Sequence, residues 1–113
     1  MDRARIADMF AAFGSVDVRR MFGGAGVYAD GVMFALAYEE RLYLKADDIN
    51  RTAFEHEGQD AFTYAANGRR VVMSYWSVPE RLYDDADELA LWAAQALAAA
   101  RRAGMKAPRK RGG

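Results

Sequence analysis

The sequence predicts an α+β domain: an antiparallel sheet of five to six strands with an N-terminal helix, a short middle helix and a long C-terminal helix. Two observations predict this class. Apolar residues recur at helical spacing near both ends of the chain, whereas strand-like segments separated by turn signals fill its middle. The length of 113 residues, with 52% apolar and 28% charged residues, is typical of one globular domain with a single core.

The N-terminal helix is predicted over residues 3–13. Asp2 precedes it and can accept hydrogen bonds from the free backbone N–H groups of the first turn. Gly14 follows it, at the position where helices commonly end in a left-handed residue. The helix has one apolar face, formed by Ile6, Met9, Phe10 and Phe13.

Residues 16–46 carry the first group of predicted strands. Asp30 and Gly31 favour a tight hairpin turn, because both residue types tolerate positive φ angles. Residues 32–38 are apolar at odd and even positions alike, which predicts a central strand covered on much of both faces. Residues 41–46 alternate between apolar and polar side chains and predict the next strand.

The second half begins with a short helix, predicted over residues 49–57. Residues 61–66 and 69–76 then flank Asn67 and Gly68, the strongest hairpin signal in the chain. These segments complete a predicted sheet of five to six strands with helices packed on one side.

The C-terminal helix has the clearest signals of all. Asp85 and Glu88 stand at the spacing of a capping box, with Asp in the place of Ser or Thr. Gly104 can end the helix. Its apolar positions keep the helical period at Leu89, Trp92, Ala93, Ala96, Leu97 and Ala100.

Charge separates the chain into two parts. We predict that residues 1–103 form the single domain and residues 104–113 a basic, disordered tail. Residues 101–113 hold six of the sixteen Lys and Arg residues and no Asp or Glu, so residues 1–100 carry a net charge of −6. A negative body is not the footprint of a folded nucleic-acid-binding face, but the positive segment can make weak contacts with phosphates. The candidate nucleic-acid contacts are Arg101, Arg102, Lys106, Arg109, Lys110 and Arg111.

No residue pattern indicates catalysis, a cofactor or a metal site. The chain has no cysteine, and its one histidine, His56, is predicted at a solvated helix end. The glycine-rich residues 23–26 lack both the ending of a phosphate loop and the third glycine of a dinucleotide fingerprint, so they predict a bulge or tight corner. We expect a non-enzymatic protein of the cytoplasm, because no apolar run is long enough to cross a membrane.

Aromatic and methionine side chains crowd the predicted strands. The sheet carries more of them than three helices easily cover, so the alternatives are a fully covered sheet and a partly exposed face of Tyr, Met and Trp side chains suited to protein contacts. Such a face, or a bare edge strand, predicts a homodimer, unless it is reserved for the regulatory partner of a monomer. The candidate interaction surface comprises Tyr28, Tyr43, Tyr75, Arg19 and Arg20.

Two blocks of sequence resemble the N-terminal domain of the TfoX/Sxy competence regulators. The first contains Met-Phe-Gly-Gly at residues 21–24, and the second contains Met-Ser-Tyr-Trp-Ser-Val-Pro at residues 73–79. The likeness runs in order over residues 2–103, nearly the whole chain. It implies an α+β fold similar to that of secretion chaperones, and it offers no catalytic residues to carry over.

The resemblance also implies a role in gene regulation. Two-domain members of the family are positive regulators of bacterial genes for natural DNA uptake and work with the cyclic-AMP receptor protein at promoters. The implied partner is therefore that receptor or another part of the transcription machinery. The chain ends at Gly113, which predicts a stand-alone domain of this type. Three functions stay open: a regulatory or adaptor domain acting through protein contacts, a direct nucleic-acid binder that uses the basic tail, and an enzyme or small-molecule binder.

Overall fold

A computed structural model gives the fold and describes residues 1–21 and 23–106. The predicted α+β architecture and the order of its elements are confirmed. The helices are α1 (Arg3–Met9), α2 (Arg51–His56) and α3 (Ala86–Lys106), with a 3₁₀ helix over Glu80–Asp84 before α3. The strands are β1 (Asp17–Met21), β2 (Gly24–Ala29), β3 (Val32–Tyr38), β4 (Arg41–Lys45), β5 (Ala61–Ala66) and β6 (Arg69–Ser77).

All six strands belong to one antiparallel sheet with the order β1-β2-β3-β4-β6-β5. The first four strands follow one another as a meander, whereas α2 carries the chain from β4 past the position of β6. β1 and β5 are therefore the two edge strands. The pairing between β4 and β6 is short. It joins Tyr43 with Ser77, Leu44 with Trp76 and Lys45 with Tyr75.

The helices pack on one face of the sheet and enclose the main core. Ala93 and Ala96 of α3 are fully buried, and their small side chains let the helix lie close to β3 and β4. Phe10, just after α1, meets Phe34 of β3 edge-on, with ring centroids 5.2 Å apart. Burial of a large apolar side chain stabilises a fold by roughly 1.5–3 kcal/mol. The largest fully buried side chains are Phe10, Phe34, Phe54, Ile6, Leu42, Leu44, Leu82, Leu89, Val27 and Val78.

Two predicted hairpin turns are confirmed by their backbone angles. Asp30 and Gly31 have φ angles of 52° and 76°, and Asn67 and Gly68 have φ angles of 54° and 74°. Positive φ at both central residues is the signature of the turn whose twist matches the strands on either side.

Several helix ends differ from the predictions. α1 ends at Met9 rather than at residue 13, because the N–H of Phe13 bonds to the carbonyl of Phe10, three residues back, and tightens the chain into turns. α3 continues through Gly104 to Lys106, so that glycine does not end the helix. The 3₁₀ helix before α3 has no counterpart in the predictions.

The predicted tail extends beyond the described residues. Its first three residues, 104–106, belong to α3. Residues 107–113, with the candidate contacts Arg109, Lys110 and Arg111, lie outside the described part of the chain. The domain limits stay a prediction. No helix within residues 1–21 and 23–106 is both long enough and apolar enough to span a bilayer.

Candidate protein-interaction site

The face of the sheet opposite the helices, here called the open face, carries a second apolar cluster. Leu36 of β3, Phe62 of β5 and Tyr75 of β6 form its buried centre. Within residues 1–21 and 23–106, no helical residue belongs to this cluster, so strand side chains cover one another instead. Four half-buried side chains surround the centre: Met33, Tyr38, Tyr43 and Met73.

Aromatic rings give the open face its shape. The Phe62 ring meets Tyr38 and Tyr43 edge-on, with centroids 5.3 and 5.0 Å away. Tyr64, next along the same side of β5, has its ring centroid 6.1 Å from that of Phe62 and is 42% exposed. Edge-on aromatic pairs prefer such distances and hold one another in place.

A groove of about 360 Å³ lies on this face beside the β5 edge. Its floor is apolar, and one carboxylate, that of Glu39, stands at its border. An apolar groove with few polar groups is suited to the side chains of another protein. The lining residues are Met21, Leu36, Tyr38, Glu39, Phe62, Thr63, Tyr64, Ala65 and Met73.

Two cations stand over tyrosine rings at opposite parts of the open face. The guanidinium carbon of Arg19 lies 4.6 Å from the centroid of Tyr28, and Nζ of Lys45 lies 5.3 Å from that of Tyr75. Each cation is attracted by the negative face of the ring beneath it. Burial lowers the pKa of Lys45, and the nearby carboxylate of Asp47 partly offsets that effect.

Tyr75 is fixed at the centre of the face by its hydroxyl group. That hydroxyl donates a hydrogen bond to the carbonyl oxygen of Met33, 3.3 Å away, and so ties β6 to β3 across β4. Burial raises the pKa of Tyr75 to about 12. The side chain is 8% exposed, so it supports the face from within rather than offering a hydroxyl to a partner.

The structure brings four of the five predicted surface residues onto the open face. Tyr28, Tyr43, Tyr75 and Arg19 share it, because they occupy the strand positions whose side chains point away from the helices. Arg20 follows Arg19 directly along β1 and therefore points to the opposite side.

The interaction surface predicted from the sequence included three tyrosines but omitted several other residues of the open face. Leu36, Phe62 and Met73 belong to the same apolar cluster, and Glu39 borders the groove. Trp76 packs against the helix side, with its ring centroid 6.3 Å from that of Phe54. Successive side chains of a strand point to opposite faces of the sheet, so Tyr75 and Trp76 of β6 must lie on different faces. This alternation is the sequence signal that assigns Trp76 to the helix side once Tyr75 is assigned to the open face.

Two of the candidate nucleic-acid contacts are engaged with the body of the domain. Nη2 of Arg101 lies 2.8 Å from Oδ2 of Asp30. Arg102 binds Asp47 at two points, with Nε donating to Oδ2 at 2.7 Å and Nη2 donating to Oδ1 at 3.0 Å. The Arg102 guanidinium lowers the pKa of Asp47 to about 2.

The glycine segment has a structural explanation. Gly23 has a φ angle of 80°, which side-chain-bearing residues rarely adopt. A Cβ atom at Gly24 would overlap the carbonyl oxygen of Ala37, and one at Gly26 would lie 3.0 Å from Sδ of Met21. Close approach of β2 to β3 therefore requires a glycine at position 24, as expected for a tight corner, whereas side chains of the open face crowd position 26.

The described residues do not assemble a group suited to metal binding. Within residues 1–21 and 23–106, no three or more His, Cys, Asp or Glu side chains converge on one point. His56 is exposed as the last residue of α2, which confirms its predicted position at a solvated helix end.

Comparison with known proteins relates the chain to one family. Residues 8–100 match the TfoX N-terminal domain. The chain is 28% identical over 76 residues to protein Sxy of Escherichia coli strain K12, an alignment that covers 67% of this chain and 36% of that protein. The DNA transformation protein TfoX1 of Aliivibrio fischeri strain ES114 is similar to the same extent. The chain thus spans about a third of the length of these curated relatives.

Proposed function

This chain belongs to the TfoX N-terminal domain family, and on that premise we propose that it is a non-enzymatic regulatory or adaptor domain that acts through protein contacts. Its relatives include a protein named for DNA transformation, which supports a role in the control of DNA uptake. The proposed partner is a component of the transcription machinery, with the cyclic-AMP receptor protein as the first candidate.

The open face is the observation that carries this proposal. A sheet face rich in Tyr, Phe, Met and Leu, which no helix in the described part of the chain covers, has the composition of the centre of a protein interface. Arg19 and Lys45, the cations over its tyrosine rings, add positive charge on this face. A partner with an apolar centre and acidic groups around it would complement this arrangement.

Direct binding to immobilised cyclic-AMP receptor protein and to RNA polymerase tests the proposal. The full chain is compared with Tyr43→Asp, which places a charge within the open face. Leu91→Asp is the matched control, because Leu91 is 68% exposed on α3 and lies on the helix side. Far-UV circular dichroism and thermal unfolding verify that each variant is folded.

We expect the Tyr43→Asp variant to lose at least tenfold in affinity, the size of effect typical of a residue at the centre of an interface. The Leu91→Asp variant should bind as the unmodified chain does. Equal binding by the two variants, or no binding of either protein by the full chain, would contradict the proposal.

Nucleic-acid binding through the basic segment is the second candidate function. It is favoured by the concentration of positive charge in residues 101–113. The engagement of Arg101 and Arg102 with Asp30 and Asp47 reduces the number of cations available to phosphates. Removal of the residues after Lys106 separates the two functions, because it shortens the basic segment and leaves the open face intact.

A further inference from the structure

The two edge strands of the sheet differ in charge. β1 carries three charged residues among its five, with Asp17 paired to Arg19 at 3.2 Å. β5 reads Ala-Phe-Thr-Tyr-Ala-Ala and carries none. Soluble proteins usually protect an edge strand with charges or proline, because its free backbone groups invite pairing with another strand. β5 has neither form of protection.

The hairpin geometry shows which backbone groups of β5 face outward. Ala66 pairs with Arg69 across the two-residue turn, and in a hairpin of this kind those two residues exchange both of their backbone hydrogen bonds. The alternation then turns the N–H and C=O groups of Tyr64 toward β6 and those of Thr63 and Ala65 toward the free edge. Thr63, Tyr64 and Ala65 are all exposed.

We propose that β5 pairs with β5 of a second copy of this chain in antiparallel orientation, with the two-fold axis at Thr63. This register places Tyr64 opposite the partner subunit's Phe62 and Ala65 opposite the partner subunit's Ala61. The sequence of the strand is suited to this arrangement, because an aromatic residue meets an aromatic residue on the open face and small residues meet at the next outward-facing positions. The pairing joins two six-stranded sheets into one of twelve strands.

Charges at the two ends of β5 are complementary in this register. Residue 66 then stands opposite the partner subunit's Asp60. Arg69 of β6 pairs with residue 66 on its other side, so Arg69 is two strands away from that Asp60. Two strand spacings amount to about 10 Å, a distance that the extended side chains of Arg and Asp together can nearly bridge. Asp60, Arg69 and Arg70 are exposed. The two-fold axis creates the same attraction twice, once at each end of the paired strands.

The two open faces become continuous across the joined strands. The groove lies beside the β5 edge and is lined by four of its residues, so two grooves adjoin at the dimer axis. The inference does not rest on the proposed regulatory function, since it concerns the edge of the sheet and not the centre of its face.

Sedimentation velocity across a concentration series tests the pairing on the full chain. We compare it with Thr63→Pro, which removes an outward N–H without removing a bond to β6, and with Thr63→Val, which keeps that N–H. The full chain and Thr63→Val should both pass from monomer to dimer as concentration rises. Thr63→Pro should sediment near the monomer mass of 12.6 kDa while keeping its circular dichroism spectrum.

A charge exchange supplies the second arm. Asp60→Arg should weaken dimerisation about tenfold, by placing like charges near each other. The double change Asp60→Arg with Arg69→Asp should restore the affinity of dimerisation and its dependence on salt concentration. A full chain that stays monomeric throughout, a Thr63→Pro variant that dimerises unchanged, or a double variant no tighter than Asp60→Arg would each overturn the proposal.

Discussion

Arg102 and Asp47 join the last turns of α3 to the segment between β4 and α2 through two parallel hydrogen bonds of 2.7 and 3.0 Å. The same carboxylate accepts bonds from the backbone N–H groups of Ile49 and Asn50. Asp47 therefore organises the approach to α2 and anchors the end of α3 at once. Planar, two-point binding of a carboxylate is a geometry that Arg provides and Lys does not.

The first prediction concerns the pH dependence of this pair. The pKa of Asp47 is lowered in the folded state, to about 2, so its contribution to stability is present above the unfolded pKa near 4 and is lost as pH falls toward 2. Asp47→Asn should therefore lower the melting temperature at pH 7, and the difference from the unmodified chain should shrink toward pH 2. Asp30→Asn is the control and should change it less, because Asp30 is 78% exposed in its pair with Arg101. A difference that stays constant from pH 7 to pH 2 would rule out the ion pair as its cause.

The second prediction concerns the buried hydroxyl of Tyr75. Tyr75→Phe removes its hydrogen bond to the Met33 carbonyl and should lower the free energy of unfolding by about 1 kcal/mol. Because the pKa of Tyr75 is raised to about 12 on folding, its protonated form stabilises the fold below pH 10, and this contribution is lost between pH 10 and 12. Urea unfolding at pH 9 and pH 11 should thus show a larger loss for the unmodified chain than for Tyr75→Phe. Tyr64→Phe, at an exposed tyrosine, should reproduce the unmodified chain at both pH values.

The third prediction compares two glycines of the corner between β1 and β2. Gly24→Ala should destabilise the domain by about 1–3 kcal/mol, because its Cβ would overlap the backbone carbonyl of Ala37, which cannot move without disturbing β3. Gly26→Ala should cost less, since the nearest atoms to its Cβ are the flexible side-chain ends of Met21 and Met33, at 3.0 and 3.1 Å. Chemical denaturation measures both. A larger loss at Gly26 would show that the open face is packed more rigidly than the strand pairing.

The fourth prediction places any affinity for DNA in residues 106–113. With Arg101 and Arg102 held by carboxylates, four of the six candidate cations are left to neutralise phosphates, which limits the log–log salt slope on duplex DNA to about −3.6. A chain ending at Lys106 should lose most of the binding, as measured by fluorescence anisotropy at several salt concentrations. Arg19→Ala, which removes a cation from the open face, should leave it unchanged. Tight, sequence-specific binding by the shortened chain would show that the folded body itself reads DNA.

The sequence was sufficient to predict the layers of this fold. Hairpin turns at Asp30-Gly31 and Asn67-Gly68 depend on local backbone preferences, and so they could be identified without knowledge of any distant contact. Helix ends were less predictable. α3 passes through Gly104 because a glycine without a strained backbone or a crowded surrounding merely weakens a helix rather than ending it.

The type of candidate site could be predicted from the sequence, but only some of the residues that form it could. The excess of aromatic side chains on the strands left an open face as one of two alternatives, and which side chains share that face depends on the strand order. β5 lies outside β6, so Phe62 reaches Tyr43 across a neighbouring strand, a contact between residues 19 positions apart. The ion pairs of Arg101 and Arg102 span more than 50 residues of sequence, and no local pattern indicates them.

The short pairing between β4 and β6 has a consequence for motion. The distal part of the β5–β6 hairpin is held by its own cross-strand bonds, since the backbone bonds that join β6 to the β4 side end where the N–H of Ala46 donates to the carbonyl of Ser74. Segments with few buried apolar contacts open locally at a lower free energy than the whole domain unfolds. Amide protons near Asn67 should therefore exchange with solvent well before those of β3. Hydrogen exchange at the hairpin tip would then report on whatever binds β5, because a strand added at that edge slows the opening.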